Sequence, residues 1–150
     1  MQTYRLAFYI GRRSENPKSS RLDNLICAAT RSRYSHVEAV IDYNPHGKSR
    51  TIAASPRDGG VRLADIDLQS GRWDVYEIWA DSDFLDVMML ELGKPYHYLG
   101  ALGSLIHIAP KTDKKRFCSG LIAFCLRYSK PHQYTPEELF QALDHKDAKE

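Results

Sequence analysis

Apolar and polar residues alternate along the first half of this chain, and apolar residues recur at helical spacing along the second. Residues 4–10 alternate and are rich in Tyr, Phe and Ile, which predicts a strand. A polar stretch with Gly11 and Pro17 follows as a loop. Ser20 then reads as a helix N-cap with Asp23 three residues on, and Leu22, Leu25, Ile26 and Ala29 mark the inner face of the helix it opens. Residues 35–43 form a second predicted strand. Its period of two puts His36, Glu38 and Val40 on one face and Val37, Ala39 and Ile41 on the other. Turn residues Asn44, Pro45 and Gly47 lead into a strand at 51–55, paired with the second as a hairpin. Strands at 61–66 and 73–79 follow, divided by the turn at Ser70 and Gly71.

Strand character then stops. Residues 84–92 have helical spacing, with Leu85, Met88, Met89 and Leu92 inward, and Gly93 and Pro95 end that helix. Residues 96–106 read as a second apolar helix loosened by Gly100 and Gly103, and 110–115 as a basic loop. Residues 118–126 are apolar nearly all round, so this helix belongs at the centre of the molecule. Thr135, Pro136 and Glu138 supply a cap, a first-turn proline and a capping-box partner for a last helix. Residues 143–150 are expected to fray. A run of strands followed by a run of helices indicates α+β, an antiparallel sheet packed against helices. The length of 150 residues suits a single domain over 1–150.

Composition narrows the classes. Hydrophobic content of 43% and charged content of 27% are those of an ordinary globular chain. A net charge of +2 gives no reason to invoke nucleic acid. No apolar run is long enough to span a bilayer. The opening residues lack the charged-then-apolar pattern of a signal peptide, so cytoplasmic synthesis is expected. Cys27, Cys118 and Cys125 form neither a C-x-x-C pair nor an even framework, which points away from disulfides. With no tight pair of Cys and His ligands, neither a metal site nor any other cofactor is expected.

The candidate chemistry centres on Cys118. A cysteine in the first turn of a helix faces unpaired backbone N–H groups and the positive end of the helix dipole, both of which favour the thiolate. Arg116 adds positive charge. A nucleophilic thiol needs an imidazole to share its proton and a polar group to orient that imidazole. His36 sits on a rigid strand, and Glu38 shares its face two residues on. His97 is the rival base, nearer in sequence to Cys118, and Cys27 reads as structural.

The order of these motifs resembles a known family. Ser35-His36-Val37-Glu38, then Gly93-Lys94-Pro95-Tyr96, then Phe117-Cys118-Ser119 is similar to the circularly permuted branch of the NlpC-type papain-like superfamily, including small phage members. Where many relatives carry an acidic residue after the Cys-Ser pair, Gly120 stands here. The resemblance implies a permuted papain-like fold and a catalytic Cys118–His36 pair. The third member would be Glu38 or a group near Ser55, and Tyr96 would line the substrate site. It implies cleavage of an amide bond, with a peptide link in bacterial cell wall (peptidoglycan) as the substrate the family suggests. A cell-wall role would require release by lysis, another export route, or carriage on a virion.

Two other readings stand beside this one. Related permuted folds run acyl transfer or lipid-amide hydrolysis through the same thioester chemistry. Alternatively, the chain is a non-catalytic binding module, with Arg12, Arg13, Lys111, Lys114, Lys115 and Arg116 forming a basic patch for an acidic partner.

Overall fold

The computed structural model describes residues 1–55, 57–95 and 118–147. The described chain is α+β. Its strands are β1 (Gln2–Ile10), β2 (Tyr34–Asp42), β3 (Ser49–Ser55), β4 (Gly60–Ile66) and β5 (Trp73–Ala80). The helices are α1 (Arg21–Thr30), α2 (Phe84–Leu90), α3 (Cys118–Cys125) and α4 (Pro136–Asp147), with a 3-10 turn at Pro131–Gln133. The five strands form one antiparallel sheet in the order β4-β3-β2-β1-β5. The predicted helix over 96–106, the basic loop, Tyr96, His97 and Arg116 lie outside the described residues.

The sheet buries both faces, by different means. One face carries Leu6, Phe8, Val37, Ala39, Ile52 and Ala54, covered by Leu121, Ile122 and Ala123 of α3, Leu139 and Leu143 of α4, and Phe84 and Met88 of α2. Burial of a leucine or isoleucine of this kind contributes about 2 kcal/mol, so α3 is held by its apolar surface rather than by helix propensity. On the other face Ala7 and Val40 pack under Leu68, with Ile66, Trp73 and Val75 around them. Leu68 belongs to the connection between β4 and β5, which therefore lies over that face. His36 and Glu38 alternate with Val37 and Ala39, so they share this second face with Val40.

Several inner faces differ from expectation. In α1 only Cys27 is buried, and Leu22 and Leu25 are exposed. This helix is tied down by polar bonds instead. Ser20 and Asp23 form a reciprocal capping box, and the Ser35 hydroxyl of β2 donates to Asp23. In α2 the inward residues are Phe84 and Met88, an i,i+4 pair, while Met89 and Leu92 face outward. Ile41 is exposed too, next to the irregularity between Val40 and Asp42 that ends the regular β2–β3 register. Helix α4 runs on to Asp147, into the segment expected to fray.

One backbone contact bears on the site. Residues 93–95 lie along the outer edge of β4, where the Val61 N–H donates to the Lys94 carbonyl at 2.8 Å and the Gly93 N–H donates to the Val61 carbonyl at 2.9 Å. Gly93 adopts a positive φ to make this turn.

Candidate functional site

The site starts with a defect in the sheet. The β1–β2 register shifts between Tyr9, opposite His36, and Ile10, opposite Tyr34, so β2 carries an extra residue at Ser35. A bulge of this kind bends its strand and re-aims the neighbouring side chain, here His36. On the other side, the β2–β3 pairing runs from Ala39↔Ile52 to Asp42↔Arg50. Val37 lies beyond that ladder, and its N–H is given to another acceptor, the sulfur of Cys118.

Helix α3 delivers that sulfur from the core face. Its first turn is docked by the Ser119 hydroxyl, which donates to the Tyr134 carbonyl. Cys118 Sγ also accepts the N–H of Ser119, a first-turn donor of the helix. The sulfur is hydrogen-bonded to the His36 imidazole. Two residues that stand far apart in sequence, on different elements, therefore meet.

Glu38 holds the far side of the ring. His36 Nε2 lies 2.8 Å from Glu38 Oε1. An ionised carboxylate only accepts, so Nε2 carries the proton of this bond and Nδ1 is left for the sulfur. Glu38 is itself saturated. Arg62 of β4 donates from Nη1 to Oε2 at 2.7 Å and from Nη2 to Oε1 at 2.6 Å, and Thr51 of β3 donates from Oγ1 to Oε2 at 2.7 Å. Arg62 Nε donates in turn to Asp58 Oδ2 at 2.9 Å.

The electrostatics follow from these contacts. Burial opposes ionisation of the Glu38 carboxyl, yet hydrogen bonds from Arg62 and His36 carry it down to about 2. Burial likewise disfavours the thiolate and the imidazolium. Each is overcome chiefly by the other's opposite charge and hydrogen bond, so the Cys118 thiol is pulled below its ordinary range and the His36 imidazole is pushed above its own. The two shifts run in the sense that favours proton transfer from Cys118 to His36. Cys27 serves as a contrast: burial pushes its thiol up to about 11, the behaviour of a structural cysteine.

His36 is reached from the second face, whereas Cys118 is buried and does not line the cleft there. Cys118 retains 5% of its surface and the His36 side chain 16%. His36 opens on a cleft of about 460 Å³. Trp73 meets the His36 ring edge-on at 6.3 Å, and Tyr9 meets Trp73 at 5.0 Å, so an aromatic wall flanks the imidazole. Leu22 and Ile26 of α1, Lys48, Arg57, Asp58 and Arg72 are also among the residues lining it.

Ser55 also lines this cleft, but its hydroxyl is bonded to Asp58. The neighbouring-strand hydroxyl that touches the His36–Glu38 pair is that of Thr51. Tyr96 lies outside the described residues. Arg62 and Thr51 were not singled out by sequence reasoning, because their relation to Glu38 is set by strand register. The only hint was that Arg62 lies on a strand beyond the hairpin turn.

Comparison with protein-family models finds no match, and neither does comparison with curated proteins. Among solved structures the chain is similar to one described as the crystal structure of metalloprotein yiiX from Escherichia coli O157:H7, DUF1105. The TM-score is 0.55 at 19% identity, over 83% of this chain and 63% of that one. The chain thus spans less than two thirds of that protein, and the likeness is one of fold alone. This neighbour, with no family model matching, corrects the resemblance to the permuted NlpC-type papain-like branch. The motif order that suggested it is built from short patterns, each of which recurs by chance. The word metalloprotein describes the neighbour. Among the described residues of this chain no three His, Cys, Asp or Glu side chains are grouped to hold a metal ion, and both Glu38 oxygens are occupied by Arg62. The described side chains do not fit a metal centre. Among them, no helix is long and apolar enough to cross a membrane.

Proposed function

We propose that this chain is a cysteine hydrolase of amide bonds, with Cys118 as nucleophile, His36 as general acid and base, and Glu38 orienting His36. The observation that carries the reading is the single imidazole bonded on one side to a first-turn cysteine and on the other to a buried, ionised carboxylate. In the reaction the Cys118 thiolate attacks the amide carbonyl and a C–S bond forms. The Cys118 backbone N–H, beside the sulfur, is the donor for the developing oxyanion. The His36 imidazolium gives its proton to the leaving nitrogen as the C–N bond breaks. Neutral His36 then takes a proton from water, hydroxide opens the thioester, and the acid leaves with the thiolate restored.

The test uses wild type, Cys118→Ala and Cys118→Ser on peptides, N-acyl amides and cell-wall peptide links. Both variants are expected to lose turnover by about a thousandfold or more on whichever substrate responds, and wild type to yield a Cys118 acyl-enzyme by mass spectrometry. A trapped long-chain acyl group would assign acyl transfer or lipid-amide hydrolysis instead. Unchanged turnover in Cys118→Ala would overturn the proposal.

A further inference from the structure

A buried carboxylate beside a buried ion pair raises a question of charge balance. Cys118 and His36 can rest as thiolate and imidazolium only if the third group, Glu38, does not leave the cluster with an excess negative charge. Glu38 has only 1% of its side chain exposed, so water does not supply the balance. Arg62 does, through a two-pronged contact from the neighbouring half of the sheet, with its own side chain 21% exposed. We propose that Arg62 is a positioning residue of this site: by neutralising Glu38 through both terminal nitrogens, it lets Glu38 orient His36 while Cys118 stays ionised. The proposal rests on the hydrolase reading and deepens it.

The charges sum simply. Arg62, Glu38, His36 and Cys118 contribute plus, minus, plus and minus, a neutral set. Without Arg62 the same set carries a net negative charge wherever the proton shared by Cys118 and His36 sits, in a place where burying net charge is costly. The cluster then keeps an extra proton up to a higher pH, and where that proton sits on Cys118 the thiolate is lost. Removing the Glu38 charge as well restores the balance. The other cations lining the cleft, Lys48, Arg57 and Arg72, make no bond to Glu38, whose described partners are His36, Thr51 and Arg62. Asp58 faces Arg62 from the turn before β4 and is half exposed. Asp65 is paired with Arg50, and Asp23 with Arg57. On the β1 and β5 side the cleft presents Tyr9 and Trp73, and Thr51 of β3 offers only a hydroxyl.

The balance predicts an unusual pattern of rescue. In the full chain, the rate of Cys118 alkylation by iodoacetamide is followed by peptide mapping from about pH 4 to 9 in wild type, Arg62→Met, Glu38→Gln and the double variant. Arg62→Met is expected to react about tenfold more slowly than wild type near pH 6, its profile displaced upward by about one unit. The double variant is expected to return to within about threefold of Glu38→Gln alone, because Arg62 matters only while Glu38 is charged. A purely structural arginine would show no such rescue. An Arg62→Met profile that overlays wild type, or a double variant as displaced as Arg62→Met, would overturn the proposal. Should Arg62→Met fail to fold by circular dichroism, Arg62→Lys decides. It keeps the charge but loses the fork, and should be about threefold slower near pH 6; a profile identical to wild type refutes the role. A wild-type sulfur no more reactive than glutathione near pH 6 sinks the hydrolase reading itself, whereas an activated sulfur indifferent to Arg62 sinks only this inference.

Discussion

Glu38 is the residue through which sheet and site are joined, since it takes bonds from β2, β3 and β4 at once. Its carboxyl, ordinarily near 4.5, is held at about 2 in the fold. A depressed carboxyl stabilises the fold fully above its unfolded value, and that contribution is lost as pH falls through the folded value. Glu38→Gln is therefore expected to destabilise the protein by on the order of 3 kcal/mol near neutrality. The gap in thermal midpoint from wild type should be widest above about pH 5 and close as pH approaches 2. A gap that stays constant over that range would refute the assignment. His36 and Glu38 were legible in sequence because a strand's period of two places them side by side. Thr51 and Arg62 were not, because which residue of a neighbouring strand lies opposite Glu38 depends on register. No local pattern states that register.

At the scale of elements, the sequence announced strands and helix ends well and inner faces poorly. The capping box of α1 and the proline start of α4 stand where the caps and turn residues put them. The leucines of α1 misled, because helical spacing records an apolar stripe but not what covers it. Here polar bonds to β2 and the cleft took the place of burial. In β4 a small residue is required where residues 93–95 cross its edge. A methyl group on Gly60 would collide with the Lys94 carbonyl oxygen, a backbone atom that cannot swing away. Gly60→Ala should cost about 2 kcal/mol, read as a lower denaturation midpoint at unchanged denaturant slope. An unaltered midpoint would show that the segment shifts freely. Since Arg62 stands two residues further along the same strand, the variant should also slow alkylation of Cys118.

For the whole molecule, the α+β class followed from strands preceding helices, yet the sheet order β4-β3-β2-β1-β5 did not. Nor did the placement of the histidine on one face of the sheet and the cysteine helix on the other. Among the described residues the two meet at Val37, beyond the β2–β3 pairing, and that opening appears in no stretch of sequence. It has a physical result. The Val37 amide, which lies beyond the β2–β3 pairing, is donated to the sulfur. Any change of that atom is therefore written into the backbone of the central strand. Carbamidomethylation or acylation of Cys118 takes away the anion that the amide addresses. The proton resonance of Val37 should then move upfield and its exchange with solvent should quicken, while Phe8 and Ala39 keep theirs. If labelling leaves Val37 unmoved, the contact is not there. If it moves, the protein carries its own indicator of turnover, one backbone proton that reads whether the nucleophile is free or occupied.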